Sequence, residues 1–199
     1  MLRLTRMIQP APCAVPTCPA PALTDEDRCY AHVADEQAYQ RRARRRFAEG
    51  ACLTHVDLSG VRVRDRHLRE RRLTGTRLVG ATLERVFFDG CHLSLVFLHD
   101  AVLSGCRFVG CRLAAVILAG SELSDCHFDD CDVQRCNFVA ATISRTRFES
   151  CDLTSSRFIG GTLRQVTMDD CNLHHAHLEL ADLGDLATPG SNLAEAHRR

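Results

Sequence analysis

Twelve cysteines in 199 residues could serve a metal cluster, a disulfide framework or thiol chemistry. They fall into two groups with different spacing. Near the start, "CAVPTCPAPALTDEDRCYAH" sets Cys13, Cys18, Cys29 and His32 as C-x4-C, ten residues, then C-x2-H. Zinc takes four thiolate or imidazole ligands in a tetrahedron, and closely spaced pairs across a loop can supply them. Cys29 and His32, three apart, would share one face of a starting helix. A segment this short and Pro-rich has too little core to fold unaided, so metal would supply most of its folding energy. These four are expected to hold Zn2+, with Cys52 or His55 able to replace one ligand; the alternative is a flexible reduced tail.

The second group follows a different rule. Cys91, Cys111, Cys131, Cys151 and Cys171 lie twenty residues apart. Other columns at the same interval read Val86, Cys106, Cys126, Thr146, Val166, then Val96, Val116, Cys136, Ser156, Ala176, and Ala81, Ala101, Ser121, Ala141, Gly161, Ala181. Cysteine here alternates with small or compact residues, as a small buried hydrophobe does. A disulfide is disfavoured, because parallel side chains in one column have poor bridge geometry. These cysteines are expected to pack a wall.

The element that makes such a wall has a period of five. Apolar residues recur from Leu53 to Leu183, including Leu78, Leu83, Phe88, Leu93, Leu98, Leu103 and Phe108. Neither helical nor alternating periodicity gives that spacing. It fits a chain that turns a corner every five residues and stacks at the inter-strand distance after four corners.

The units "CDLTS", "CNLHH", "ADLGD" and "SNLAE" are of the A(D/N)LXX type, and the chain resembles the pentapeptide-repeat proteins. That resemblance implies an all-β solenoid, a right-handed quadrilateral β-helix, here of about 5–6 coils of twenty residues. The expected organisation is a Cys/His motif plus basic helix (1–50), an irregular cap or first coil (51–75), the β-helix (76–185) and a C-terminal cap or tail (186–199). In the second segment, Arg66 and Arg71 fall on inward positions, where an unpaired charge is costly. A loop or helix over the open end is therefore expected there. The N-terminal string looks like small Cys3His zinc motifs of bacterial proteins.

Charge separates the two ends. Residues 1–75 hold 14 Arg against 9 acids, and residues 76–194 hold 9 Arg against 15 acids. The string "ADEQAYQRRARRRFAEG" predicts a helix over about 33–48 ending at Gly50. Its Arg41, Arg42, Arg44, Arg45 and Arg46 could contact nucleic-acid phosphates, or form a solvated face on the solenoid. Asp89, Asp129, Glu149 and Asp169 share one turn position, flanked by Asp130, Asp132, Asp152 and Asp170. In a twenty-residue coil they form an acidic ridge along one edge.

Several functions are disfavoured. All basic residues are Arg, so a Walker-type phosphate loop, a Schiff-base enzyme and a lysine base are excluded. The His174, His175 and His177 trio reads as solvated surface, and no nucleophile elbow is present; no enzyme is expected. No apolar run reaches a membrane span. The N-terminal "MLRLTRMIQPAPC" lacks the apolar core of a secretory signal, so a cytoplasmic protein is expected. The family resemblance implies a non-enzymatic binding protein, with DNA mimicry toward DNA gyrase as the most specific expectation. The alternative is a scaffolding adaptor whose zinc motif and Arg-rich helix dock to nucleic acid or protein. A homodimer is a further expectation.

Overall fold

The computed structural model describes residues 11–50, 52–179 and 185–198. From Cys52 the chain winds a parallel β-solenoid of about seven turns. Each rung pairs with the residues twenty positions on: Leu53 with Leu73, Leu73 with Leu93, Leu93 with Leu113. A second run links Phe88, Phe108, Phe128, Phe148 and Met168 in the same way. The corners are made by residues in the left-handed region, five apart: Asp130 (φ 50°), Arg135 (55°), Ala140 (57°) and Arg145 (45°) divide one turn into four sides. Between corners, the central residue and the compact residue two before it are buried. This is the physical origin of the period of five. The repeat's units at Ala181 and Leu183 lie outside the described residues.

The core is stacked rather than interleaved. Phe88, Phe108, Phe128 and Phe148 lie ring over ring, with centroids 4.6 Å apart, because the backbone rung spacing of about 4.8 Å dictates it. A second ladder, Phe138 on Phe158, meets the first edge-on at 6.3 Å, the geometry aromatic quadrupoles prefer. The cysteine columns are buried, and all described cysteines are free. Their thiols donate to backbone carbonyls, as Cys111 Sγ does to Phe88 O and Val109 O, each at 3.4 Å. Burial pushes the Cys136 thiol up to about 12, which keeps it protonated and inert.

Residues 52–75 are laid down as a coil: β1 (Cys52–Thr54), β2 (Arg62–Arg69) and β3 (Arg72–Thr74). Beginning here rather than at residue 76 is why the turns outnumber the 5–6 expected. Arg66 and Arg71 do not point into the core. No strand precedes Arg66, whereas Arg71 enters β3 above β1 and its side chain turns toward α1. Arg66 is exposed, and half-buried Arg71 donates to Ala48 O at 3.4 Å. The helix expected over 33–48 runs instead as α1 (Glu36–Glu49), because the Asp35 carboxylate caps it by accepting from Ala38 N, a strong start signal.

α1 takes the place of the missing rung. Gln40 donates to Gly60 O at 2.8 Å and accepts from Arg62 N at 2.9 Å, and the Tyr39 hydroxyl donates to Ser59 O at 2.7 Å. Tyr39, Ala43 and Phe47 are buried with the solenoid core, and Phe47 meets Phe88 edge-on at 6.4 Å. A solenoid end with unpaired strand edges is thereby covered. At the other end the twenty-residue register persists: Leu186 pairs with Val166, and the Ser191 hydroxyl accepts from Cys171 N at 2.8 Å.

Candidate metal centre and charged surfaces

Local turns assemble the Cys/His group. Pro12 and Pro21 form an antiparallel bridge, with Cys13 N bonded to Ala20 O and Cys18 N to Val15 O. This hairpin brings Cys13 and Cys18 together. A 3-10 turn at Tyr30–His32, entered from Cys29, delivers the other two. The four ligand atoms lie within 4.8 Å of one another. Tetrahedral ligands at ordinary zinc bond lengths stand about 3.8 Å apart for sulfur pairs and about 3.6 Å for sulfur and nitrogen. Here Cys18 Sγ to Cys29 Sγ is 3.6 Å, Cys13 Sγ to His32 Nδ1 is 3.5 Å, and Cys29 Sγ to His32 Nδ1 is 3.3 Å. The donor set therefore fits a tetrahedral metal. The Cys29 N–H donates to Cys13 Sγ at 3.4 Å and holds that thiol down at about 6, which favours the thiolate a metal needs. Cys52 lies apart and exposed, bonded to Thr54.

The group is tied to the solenoid. Thr24 N donates to Asp57 O at 3.1 Å, and Asp57 N donates to Thr24 Oγ1 at 2.7 Å. Leu23 is buried in the common core. The Tyr30 ring lies so close over Gly60 that a Cβ there would stand 2.4 Å from it. The Tyr30 hydroxyl donates to Glu36 at 2.9 Å and accepts from Arg62 at 3.2 Å.

The acidic residues divide into two sets. Asp89, Val109, Asp129, Glu149 and Asp169 are successive partners in register, so they form one column along the solenoid. Asp130 and Asp170 occupy the adjoining left-handed corner. Among the described residues, Asp129, Asp130, Asp169 and Asp170 have no cationic group within 4.0 Å, while Glu149 faces Arg147 at 3.8 Å and Asp89 faces His67 and Arg69, each at 3.5 Å. Asp132 and Asp152 lie around the corner, in the column Arg112, Asp132, Asp152, Asn172. Asp132 faces Arg112. Asp152 accepts from Thr154 N and Gln134 Nε2; burial works to raise its pKa, but these hydrogen bonds prevail and lower it. Those two carboxylates serve the coil locally.

The basic helix divides as well. Arg42 pairs with Glu26, Arg45 with Glu49 at 2.9 Å, and Arg46 with Asp25 at 2.7 Å. Arg41 and Arg44 have no carboxylate within 4.0 Å among the described residues. Pairs one turn apart, Arg85 with Asp65 and Arg145 with Asp125, both at 2.7 Å, were not singled out from the sequence. Opposite charges at an interval of twenty would have found them. Among the described residues, no helix is long and apolar enough to cross a membrane.

No curated protein matches this chain. Among solved structures, QnrB1, a plasmid-mediated fluoroquinolone resistance protein, is 18% identical over 74% of this chain and 67% of its own, with a TM-score of 0.40. HetL, a pentapeptide repeat protein involved in heterocyst differentiation regulation from the cyanobacterium Nostoc sp., is 16% identical over 77% of this chain and 92% of its own, with a TM-score of 0.25. A pentapeptide repeat protein from the Arabidopsis thaliana thylakoid lumen is 18% identical over 61% and 71%, with a TM-score of 0.32. Sequence models match directly: pentapeptide repeats over residues 72–108 and a pentapeptide repeat region over residues 101–178. Together with the five-residue corners and the twenty-residue register, these matches show that the chain belongs to the pentapeptide-repeat family.

Proposed function

We propose that this is a non-enzymatic binding protein whose rigid solenoid engages a macromolecular partner through the Asp89–Asp169 column, and that the partner is DNA gyrase or a related type II topoisomerase. The observation that carries this reading is the in-register column of Asp129, Glu149 and Asp169, with Asp130 and Asp170 beside it. Like charges at a rung spacing of about 4.8 Å repel, and an ordinary solubility surface has no need to stack them. A rod that fixes carboxylates at regular intervals presents what a protein reading a phosphate backbone is built to meet. The interior is filled by Phe, Leu and Cys side chains, so the surface is the part available for recognition.

In this reading Zn2+ bound by Cys13, Cys18, Cys29 and His32 is structural. It fixes the loop that seats Leu23 and Tyr30 against the first turn, and so holds α1 over the open end. A supercoiling assay with purified gyrase tests the partner. The expected result is inhibition of supercoiling, or relief of quinolone poisoning, at micromolar protein; no effect at that concentration contradicts it.

A further inference from the structure

Beside α1 the solenoid end carries a feature of the opposite sign. β2 pairs with β4 (Thr82–Asp89) on one side only, and its other edge faces α1. Two adjoining hollows run along this seam. One, of 380 Å³, is lined by Arg44, Arg62, Val63, Arg64, Arg66 and Thr82. The other, of 410 Å³, shares Arg44 and Arg62 and adds Arg41, Glu36, Gln37 and Gln40. Five guanidiniums thus line one elongated trough, supplied by a helix on one wall and a strand edge on the other.

Neutralisation is incomplete. Arg62 pairs with Glu36 at 2.9 Å and Arg64 with Glu84 at 2.6 Å, which holds their guanidiniums in place. Arg41, Arg44 and Arg66 have no carboxylate within 4.0 Å among the described residues; Arg66 bonds only the carbonyl of Asp65. Three uncompensated arginines spread along one seam, Arg44 shared by both hollows, repel one another and are relieved by anions. Guanidinium groups favour phosphate oxygens, which they can meet with two parallel hydrogen bonds.

The shape selects the anion. The trough runs about 10 Å along α1 from Gln37 to Arg44, at the ordinary helical rise. The Cα atoms of Arg62 and Arg64 are about 6.6 Å apart along the strand, so their side chains arise at an interval close to that of neighbouring phosphates on one nucleic-acid strand. A single phosphate would engage only part of this row, and a duplex is too wide to enter hollows of this volume. No aromatic side chain lines either hollow, so bases have nothing to stack on and are not read. We infer that the trough between α1 and β2 binds the sugar–phosphate backbone of single-stranded nucleic acid, about three phosphates long and without regard to sequence. The acidic column meets β2 only at Asp89, and its Asp129, Glu149 and Asp169 lie three to five turns on, so the two sites can be tested separately.

Fluorescence anisotropy with a labelled single-stranded oligonucleotide of mixed sequence and about 20 nucleotides tests this, with the metal-loaded full-length protein and a duplex of the same sequence alongside. Three neutralised phosphates give a salt slope of about −2, so affinity for the single strand is expected to fall about 20-fold between about 50 and 200 mM salt. Arg44→Glu with Arg66→Glu is expected to weaken binding at least tenfold and flatten the slope, whereas Arg44→Lys with Arg66→Lys stays within about threefold of the parent. Arg135→Glu with Arg157→Glu, both exposed on the later turns, one at a corner and one on a side, is the control and is expected to change nothing. Circular dichroism melting of each variant separates lost binding from lost folding. No binding in about 50 mM salt, equal binding by the charge-reversed variant, equal loss in the control, or binding of the duplex alone would each overturn the assignment.

Discussion

Two glycines in equivalent corners isolate the contact that joins the Cys/His module to the solenoid. Gly60 (φ +71°) and Gly80 (φ +61°) both sit in the left-handed region, twenty residues apart. A Cβ at Gly80 meets nothing within 4 Å, whereas one at Gly60 falls 2.4 Å from the Tyr30 ring. Alanine at either site carries the left-handed penalty of about 1–2 kcal/mol. At Gly60 the ring must also leave. That forfeits its tilted contact with Tyr39 at 5.8 Å and its hydrogen bonds with Glu36 and Arg62. At about 1 kcal/mol for each such interaction, Gly60→Ala should cost about 4–5 kcal/mol in all. With a urea m-value of about 2 kcal/mol/M, the midpoint should drop by about 2 M for Gly60→Ala and under about 1 M for Gly80→Ala. Because Tyr30 follows Cys29 directly, Gly60→Ala should also lose zinc to a competing chelator sooner, and Gly80→Ala should not. Equal midpoint shifts in the two variants, with equal zinc retention, would refute the claim that Tyr30 on Gly60 locks the module in place.

The aromatic ladder and the cysteine walls make two further predictions. Phe128 is buried between Phe108 and Phe148 at 4.6 Å; Phe128→Ala should cost about 3–5 kcal/mol by urea unfolding. Phe128→Leu keeps much of the volume but loses two ring stacks, for about 1–3 kcal/mol. In alkylation of the zinc-loaded native protein, exposed Cys52 should react first and alone. Chelation should add Cys13, Cys18 and Cys29, and the eight buried solenoid cysteines, Cys91 to Cys171, should label only in denaturant. Early labelling of Cys131 or Cys151 would show that the walls are not closed.

The solenoid is legible in the sequence because its two periods are direct records of geometry: five residues per corner, twenty per rung. Phe88 to Met168 and Cys91 to Cys171 stack as their spacing requires. The Cys3His spacing likewise anticipates a cluster whose ligand atoms converge. The inward reading failed for Arg66, which no strand precedes and which is exposed, and held in part for Arg71, which heads the Cys91 column, is half-buried and is met by α1 at Ala48 O. A helix or loop over the open end is expected from the sequence, and the same arithmetic also reaches the register in which α1 sits. Gln40 meets Gly60, and Tyr39 meets Ser59, at intervals of twenty, so the helix substitutes for the rung that would have preceded β2. The arginine trough was hidden for that reason: it needs Arg41 and Arg44 from the helix and Arg62, Arg64 and Arg66 from the strand. Composition showed a basic end, but pairing decided which arginines remain free. Asp132 and Asp152 were grouped with the ridge by proximity in sequence, while the corner at Asp130 turns them onto the next side.

The central claim is that the carboxylate column is a recognition surface. The most direct measurement is the affinity of immobilised gyrase for the parent protein and for a variant with Asp129→Asn, Asp130→Asn, Glu149→Gln, Asp169→Asn and Asp170→Asn. These side chains lie on the outside of the coil and none supports its core, so the variant should melt like the parent. Saturable, salt-sensitive binding by the parent, weakened at least tenfold in the variant, is the predicted result. Equal affinity of the two proteins, or no binding by either, would contradict it.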